Sequence, residues 1–156
     1  MELGRFRIGL RVRDVEAASA FYRGLGFDDV AAVPDPEGTP VMAMLERDGA
    51  MLIVDALHGM PFETTAREAQ VQKGPRGLGV AIGLGVDDLD RAYQWCCDHG
   101  CEITSEPHSE PYGDRVFEFV DADGYLWEIS EPAGDVPVEA AVQAVRDAWF
   151  GEDDVP

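Results

Sequence analysis

The stretch Ile8-x-Leu10-x-Val12-x-Asp14 returns 74 residues later as Ile82-x-Leu84-x-Val86-x-Asp88. The same offset sets Ala18 on Ala92 and Gly26 on Gly100. Further along, an offset of 75 pairs Gly38 with Gly113, Asp48-Gly49 with Asp123-Gly124, and Leu52-x-Val54 with Trp127-x-Ile129. One supersecondary unit is therefore present twice, in tandem.

Each copy reads as β-α-β-β-β. Residues 5–12 alternate Ile8, Leu10 and Val12 with Arg7, Gly9 and Arg11, a period-2 strand. Asp14 then serves as an N-cap. Val15, Ala18, Phe21, Tyr22 and Leu25 line one helical face, and Gly26 supplies a left-handed stop. A strand is expected over Asp28–Val33. Two more, VMAMLER and AMLIVDA, are joined by the hairpin dipeptide Asp48-Gly49. The second copy repeats this with a strand at 79–86, an Asp88-capped helix LDRAYQWCCDHG, and strands at Cys101–Ser105, Arg115–Val120 and Tyr125–Ser130. The layout is module one at 5–57, a polar connector at 58–77 and module two at 78–132, together a domain over 1–135. A C-terminal helix at 136–150 and a frayed tail at 151–156 follow. In that helix Val138, Ala141, Val142, Val145 and Trp149 share a face, so the stripe should cover either the domain's own sheet or a partner subunit.

Composition narrows the partners. The 156 residues hold 31 Asp+Glu against 12 Lys+Arg, a formal net charge of −19. Such a field repels phosphate, which argues against nucleic acid and against anionic membrane surfaces. The charge is uneven: residues 1–74 carry 12 acids and 8 bases, residues 75–156 carry 19 and 4. Solubility accounts for much of this, and attraction of a cationic small molecule is the sharper reading. No signal peptide or spanning run is read, and the odd, crowded set Cys96, Cys97 and Cys101 points to free thiols in a reducing cytoplasm. Neither a phosphate-cradling Gly loop nor a Gly-x-Ser-x-Gly elbow occurs. Cys97 and His99, two apart on a helix, point away from each other and make no nucleophile–base pair.

The motifs Val12-x-Asp14, Phe21-Tyr22, Leu25-Gly26-Phe27, Val86-Asp87-Asp88, Pro111-Tyr112-Gly113 and Asp121-x-Asp123-Gly124-Tyr125-Leu126-Trp127-Glu128 together resemble the vicinal oxygen chelate superfamily. That family includes glyoxalase I, bleomycin-resistance proteins and extradiol dioxygenases, and the resemblance leans to the bleomycin-resistance-like branch. It implies an α+β fold in which paired βαβββ modules curl mixed sheets into half-open cups, with cavities built by a homodimer. Metal-dependent members hold a divalent ion through one residue from the first and one from the last strand of each module. Transferred to this chain, those four positions are Arg7, Ile53, Ala81 and Glu128. Arginine is a permanent cation with no lone pair to give, and isoleucine and alanine have no donor. The three histidines, His58, His99 and His108, are expected in connectors or turns. One carboxylate cannot hold a catalytic divalent ion, so no metal, no cofactor and no catalytic residue is assigned.

What remains is a set of candidate ligand-binding residues: Arg7, Arg11, Ile53, Ala81, Tyr112, Glu118 and Glu128. Gly9, Gly83 and Gly85 share faces with them, either leaving open volume or relieving sheet curvature. Arg7 and Glu128 either pair with each other or divide a ligand's charges between them. Trp127 and Ile129 are read as packing, Tyr112 and Glu118 as the better ligand groups. Stacking surfaces near carboxylates suit a planar cationic or aromatic molecule. The expected function is metal-independent sequestration of a small antibiotic or toxin by a cytoplasmic homodimer. The alternative is a metal-dependent lyase, isomerase or dioxygenase-like enzyme on the same fold, against which the three non-ligating positions weigh.

Overall fold

The computed structural model describes residues 6–132 and 134–151, so the expected tail beyond Gly151 lies outside the described residues. The chain divides into two compact units. The first runs up to Leu78 and includes Ala122–Gly124; the second comprises Gly79–Asp121 and the chain from Tyr125 onward.

In the first unit β1 (Arg7–Val12), α1 (Val15–Gly24), β2 (Asp28–Pro34), β3 (Pro40–Arg47) and β4 (Ala50–Ala56) form a four-stranded mixed sheet ordered β1-β4-β3-β2. β1 runs parallel to β4, and the other pairs are antiparallel. Asp14 caps α1 by accepting the Ala17 N–H at 2.9 Å. Leu10, Val12, Leu45, Leu52 and Val54 are buried on the sheet face that meets α1, against Val15 and Tyr22. Asp48 and Gly49, at φ +50° and +81°, make the two-residue hairpin between β3 and β4 that the dipeptide predicts.

The connector is not entirely irregular. It contains α2 (Thr65–Lys73), capped by the Thr64 hydroxyl accepting from the Arg67 N–H at 3.1 Å and closed by Gly74. The polar connector thus holds a helix that the sequence reading does not assign. The helix buries no residue, so it carries no apolar period for a sequence reading to find.

The second unit repeats the plan with β5 (Ala81–Gly85), α3 (Leu89–Asp98), β6 (Glu102–Ser109), β7 (Arg115–Val120) and β8 (Leu126–Glu131), ordered β5-β8-β7-β6. Asp88 caps α3 at 2.9 Å from the Arg91 N–H. Phe117, Phe119, Trp127 and Ile129 are buried on the sheet face toward α3, where Leu89, Ala92 and Cys96 meet them. Each such side chain contributes roughly 1.5–3 kcal/mol by leaving water. Trp127 and Ile129 are thus packing residues.

β6 is longer than the expected Cys101–Ser105 and carries His108, which corrects its assignment to a turn. Register shifts around Ser105 let the strand continue past Pro107. The link from β7 to β8 is a five-residue loop, Asp121–Tyr125, rather than a tight Asp123-Gly124 turn. Buried Asp121 organises it by accepting from the Tyr125 N–H and the Trp127 Nε1–H, each at 3.0 Å. The last helix, α4 (Val138–Phe150), begins after Pro137 and buries none of its residues. Val138, Val142, Trp149 and Phe150 stay exposed, so its apolar stripe does not seat on the unit's sheet, one of the two placements expected for it. No described helix is long and apolar enough to cross a membrane.

Candidate binding face of the second sheet

Cross-strand partners lie on the same face of a sheet, so the pairing register shows which side chains stand together. On the helix-free face of the first sheet one row reads Gly9, Ile53, Met44, Ala31. Arg7 and Arg11 stand in the flanking rows, beside Met51 and Asp55. On the corresponding face of the second sheet the row reads Gly83, Glu128, Glu118, Ser105. Ala81 sits one row away, opposite Leu126. The register thus brings Arg7, Arg11 and Ile53 onto one face, and Ala81, Glu118 and Glu128 onto another.

Glu118 and Glu128 face each other across β7 and β8, both half-buried. Like charges directly opposed destabilise a sheet, and among the described residues no cation forms an ion pair with either. Beside them, a Cβ added at Gly83 or Gly85 would meet nothing within 4 Å, so the glycines border open space. The basic residue of β7 is engaged elsewhere: Arg115 binds Asp90 at 2.8 Å and Glu131 at 3.2 Å.

Tyr112 stands at the tip of the β6–β7 loop. The Glu110 N–H donates to the Asp114 carbonyl at 2.8 Å and the Gly113 N–H to the Glu110 carbonyl at 2.9 Å, with Gly113 at φ +103°. Burial, then the carboxylates of Glu110, Glu128 and Asp114, push its phenol above the usual tyrosine range, so it remains a hydrogen-bond donor. Tyr112 and Asp114 also edge an open cleft of about 450 Å³, whose other wall is Val136, Ala141, Val142 and Val145. Sequence reading misses this cleft, because it depends on where α4 comes to rest.

His108 joins the same rim. Its Nδ1 is 2.8 Å from the Glu106 carbonyl and its Nε2 is 3.0 Å from Glu110 Oε1. Both partners can only accept, so the imidazolium form is favoured and the histidine is held above its ordinary value, the Glu106 carbonyl acting first and Glu110 second. Arg11 is differently occupied. Its guanidinium donates to the carbonyls of Ala56 at 3.1 Å and Pro61 at 2.8 Å and lies 4.1 Å from the centre of the Phe62 ring. That anchors the start of the connector and leaves Arg11 less able to serve a ligand than Arg7, which is exposed.

The residues present do not fit a bound metal. The four positions where metal-dependent relatives carry ligands hold Arg7, Ile53, Ala81 and Glu128, and among the described residues no group of three His, Cys, Asp or Glu is placed to share an ion. Glu118 adds a second carboxylate to Glu128, but among the described residues no third His, Cys, Asp or Glu is placed to share an ion with them.

Comparison with known proteins places this geometry. An uncharacterized protein of Mycobacterium bovis is 24% identical over 142 residues, spanning 88% of this chain and 91% of that protein. A glyoxalase/bleomycin resistance protein/dioxygenase from Nocardioides superposes with a TM-score of 0.60 at 25% identity, covering 88% of this chain and 89% of that one. A family enzyme from Burkholderia phytofirmans reaches 0.63 at 17% identity, covering 83% and 98%. The model of the Glyoxalase/Bleomycin resistance protein/Dioxygenase superfamily matches residues 4–129, which takes in both βαβββ repeats and stops short of α4. With the duplicated strand order and the matched span in agreement, the chain belongs to the glyoxalase/bleomycin resistance protein/dioxygenase superfamily.

Proposed function

We propose that this protein is a metal-independent binding protein of the bleomycin-resistance type, which sequesters a small cationic, planar molecule without turning it over. The observation that carries the reading is the facing pair Glu118 and Glu128, half-buried and without an ion pair among the described residues. Two opposed carboxylates lower sheet stability when nothing lies between them, and a guest cation removes that repulsion. Tyr112 offers a ring and a retained hydroxyl proton beside them, while Gly83 and Gly85 leave room. The surplus of acids from residue 75 onward favours the approach of such a guest. The binding form we infer is a cytoplasmic homodimer with cavities between modules, as the family resemblance implies.

Isothermal titration calorimetry with a panel of cationic glycopeptide and fused-ring aromatic antibiotics tests this directly. Saturable binding that weakens with added salt is expected. Silence across the panel would retire the proposal. Elemental analysis of the purified protein runs alongside: stoichiometric manganese, iron, nickel or zinc would favour the enzymatic alternative instead.

A further inference from the structure

Both modules end their helix with the same capping motif. In the first, Gly26 at φ +89° donates to the Arg23 carbonyl at 3.0 Å, and the Phe27 N–H reaches back to the Tyr22 carbonyl at 3.2 Å. In the second, Gly100 at φ +69° donates to the Cys97 carbonyl at 3.0 Å, and the Cys101 N–H to the Cys96 carbonyl at 3.0 Å. This is the Schellman arrangement, which a side-chain contact between the residues at the two ends of the longer bond frequently accompanies. In the first module those residues are Tyr22 and Phe27, two buried rings packed edge to face with centroids 6.2 Å apart. In the second they are Cys96 and Cys101.

We propose that Cys96 and Cys101 form an oxidisable dithiol, a modification site at the α3–β6 corner that hydroperoxides close into an intrachain disulfide. The Cys101 N–H bond to the Cys96 carbonyl at 3.0 Å closes the corner and sets the two cysteines at its two ends. Interaction between the two thiols holds Cys101 below its ordinary value, and the same interaction, followed by burial, pushes Cys96 up. Cys101 is partly exposed and Cys96 is fully buried, so peroxide meets Cys101 first. Cys97 is exposed on the helix and is not one of the two residues joined by the capping bond.

The chemistry balances in two steps. The Cys101 thiolate attacks one peroxide oxygen; a sulfur–oxygen bond forms, the oxygen–oxygen bond breaks, and the departing hydroxide takes the thiol's proton as water. The Cys96 sulfur then attacks the Cys101 sulfenic sulfur. Its proton leaves with the displaced hydroxide as a second water, and the sulfur–sulfur bond forms. The two thiols lose two electrons and hydrogen peroxide gains them. Because Cys96 and Cys101 stand at the two ends of one closing main-chain bond, closure competes with further oxidation of Cys101.

The test uses the full chain carrying Cys97→Ser, which removes the exposed thiol and leaves the pair untouched. The variant is treated with equimolar hydrogen peroxide, alkylated, digested without reductant and weighed by mass spectrometry. The expected result is a loss of two hydrogens, alkylatable thiols falling from two to none, and full return after dithiothreitol. Oxygen addition at Cys101 with Cys96 still alkylatable would overturn the proposal, as would disulfide linkage only between two copies.

Discussion

Laid over one another, the two modules share a plan down to single hydrogen bonds, yet their open faces differ. The first sheet carries Gly9, Ile53, Met44 and Ala31 in one row; the second carries Gly83, Glu128, Glu118 and Ser105. The glycine is retained and the two central residues change from apolar to carboxylate. On the opposite face nothing of that kind occurs: Leu52 and Val54 in one module and Trp127 and Ile129 in the other are all buried against a helix. Duplication has held the cores to one chemistry and released the open faces. A site reading therefore belongs on the open faces, and of the two the second is the one whose central row carries directly opposed carboxylates.

The comparison breaks most visibly in the cores. Leu52→Ala should cost about 2–5 kcal/mol and Trp127→Ala about 3–5 kcal/mol in chemical denaturation. Trp127 is the costlier of the pair because its removal also leaves Asp121 short of one of the donors that hold the β7–β8 loop. If Leu52→Ala proved the more damaging, the cores would not be equivalent in the way their burial indicates.

The open faces give the next effect. Replacing Glu118 and Glu128 by Met and Ile writes the first module's row into the second. For a cationic guest identified by calorimetry, affinity should fall on the order of 100-fold, because each carboxylate removed takes away a charge-assisted hydrogen bond of roughly 1.5–3 kcal/mol before any compensation. Stability should hold or rise, since opposed like charges are removed. Loss of folding without the guest would show that the carboxylates serve the sheet and not a ligand.

The smallest effect is a pH dependence confined to one module. At the place of His108 the first module has Val33. His108 is raised above 6.5 in the folded chain, so its contribution to stability is fully present below pH 6.5 and disappears as pH rises through the raised value. The His108→Val variant should lose that dependence when denaturation midpoints are followed from mildly acidic to mildly alkaline buffer. An unchanged profile would place the titration elsewhere.

Much of this architecture is legible in the chain itself. The repeat, the Asp14 and Asp88 caps and the alternation in β1, β4 and β8 follow from local sequence, and all appear in the fold. Glu118 and Glu128 each stand out in the sequence, but their facing position does not. It depends on register across a five-residue loop that Asp121 shapes through the indole of Trp127, a contact made only after folding. α2 escapes because it buries nothing, although Thr64 three residues before Arg67 is a readable cap. The stripe on α4 is legible; where the helix rests, and hence the cleft beside Tyr112, is not.

The loop that carries Tyr112 has a twin in the first module. There the Asp35 N–H donates to the Thr39 carbonyl at 2.8 Å and the Gly38 N–H to the Asp35 carbonyl at 3.0 Å, the same pattern that links Glu110, Gly113 and Asp114. At the tip, where the second module has Tyr112, the first has Glu37. Main-chain bonds and a left-handed glycine close the loop in both cases, so closing it does not require a particular side chain at the tip. Such a position behaves like a hypervariable site in an immune receptor: selection, natural or in a randomised library at residues 37 and 112, can retune recognition there while the scaffold stays intact.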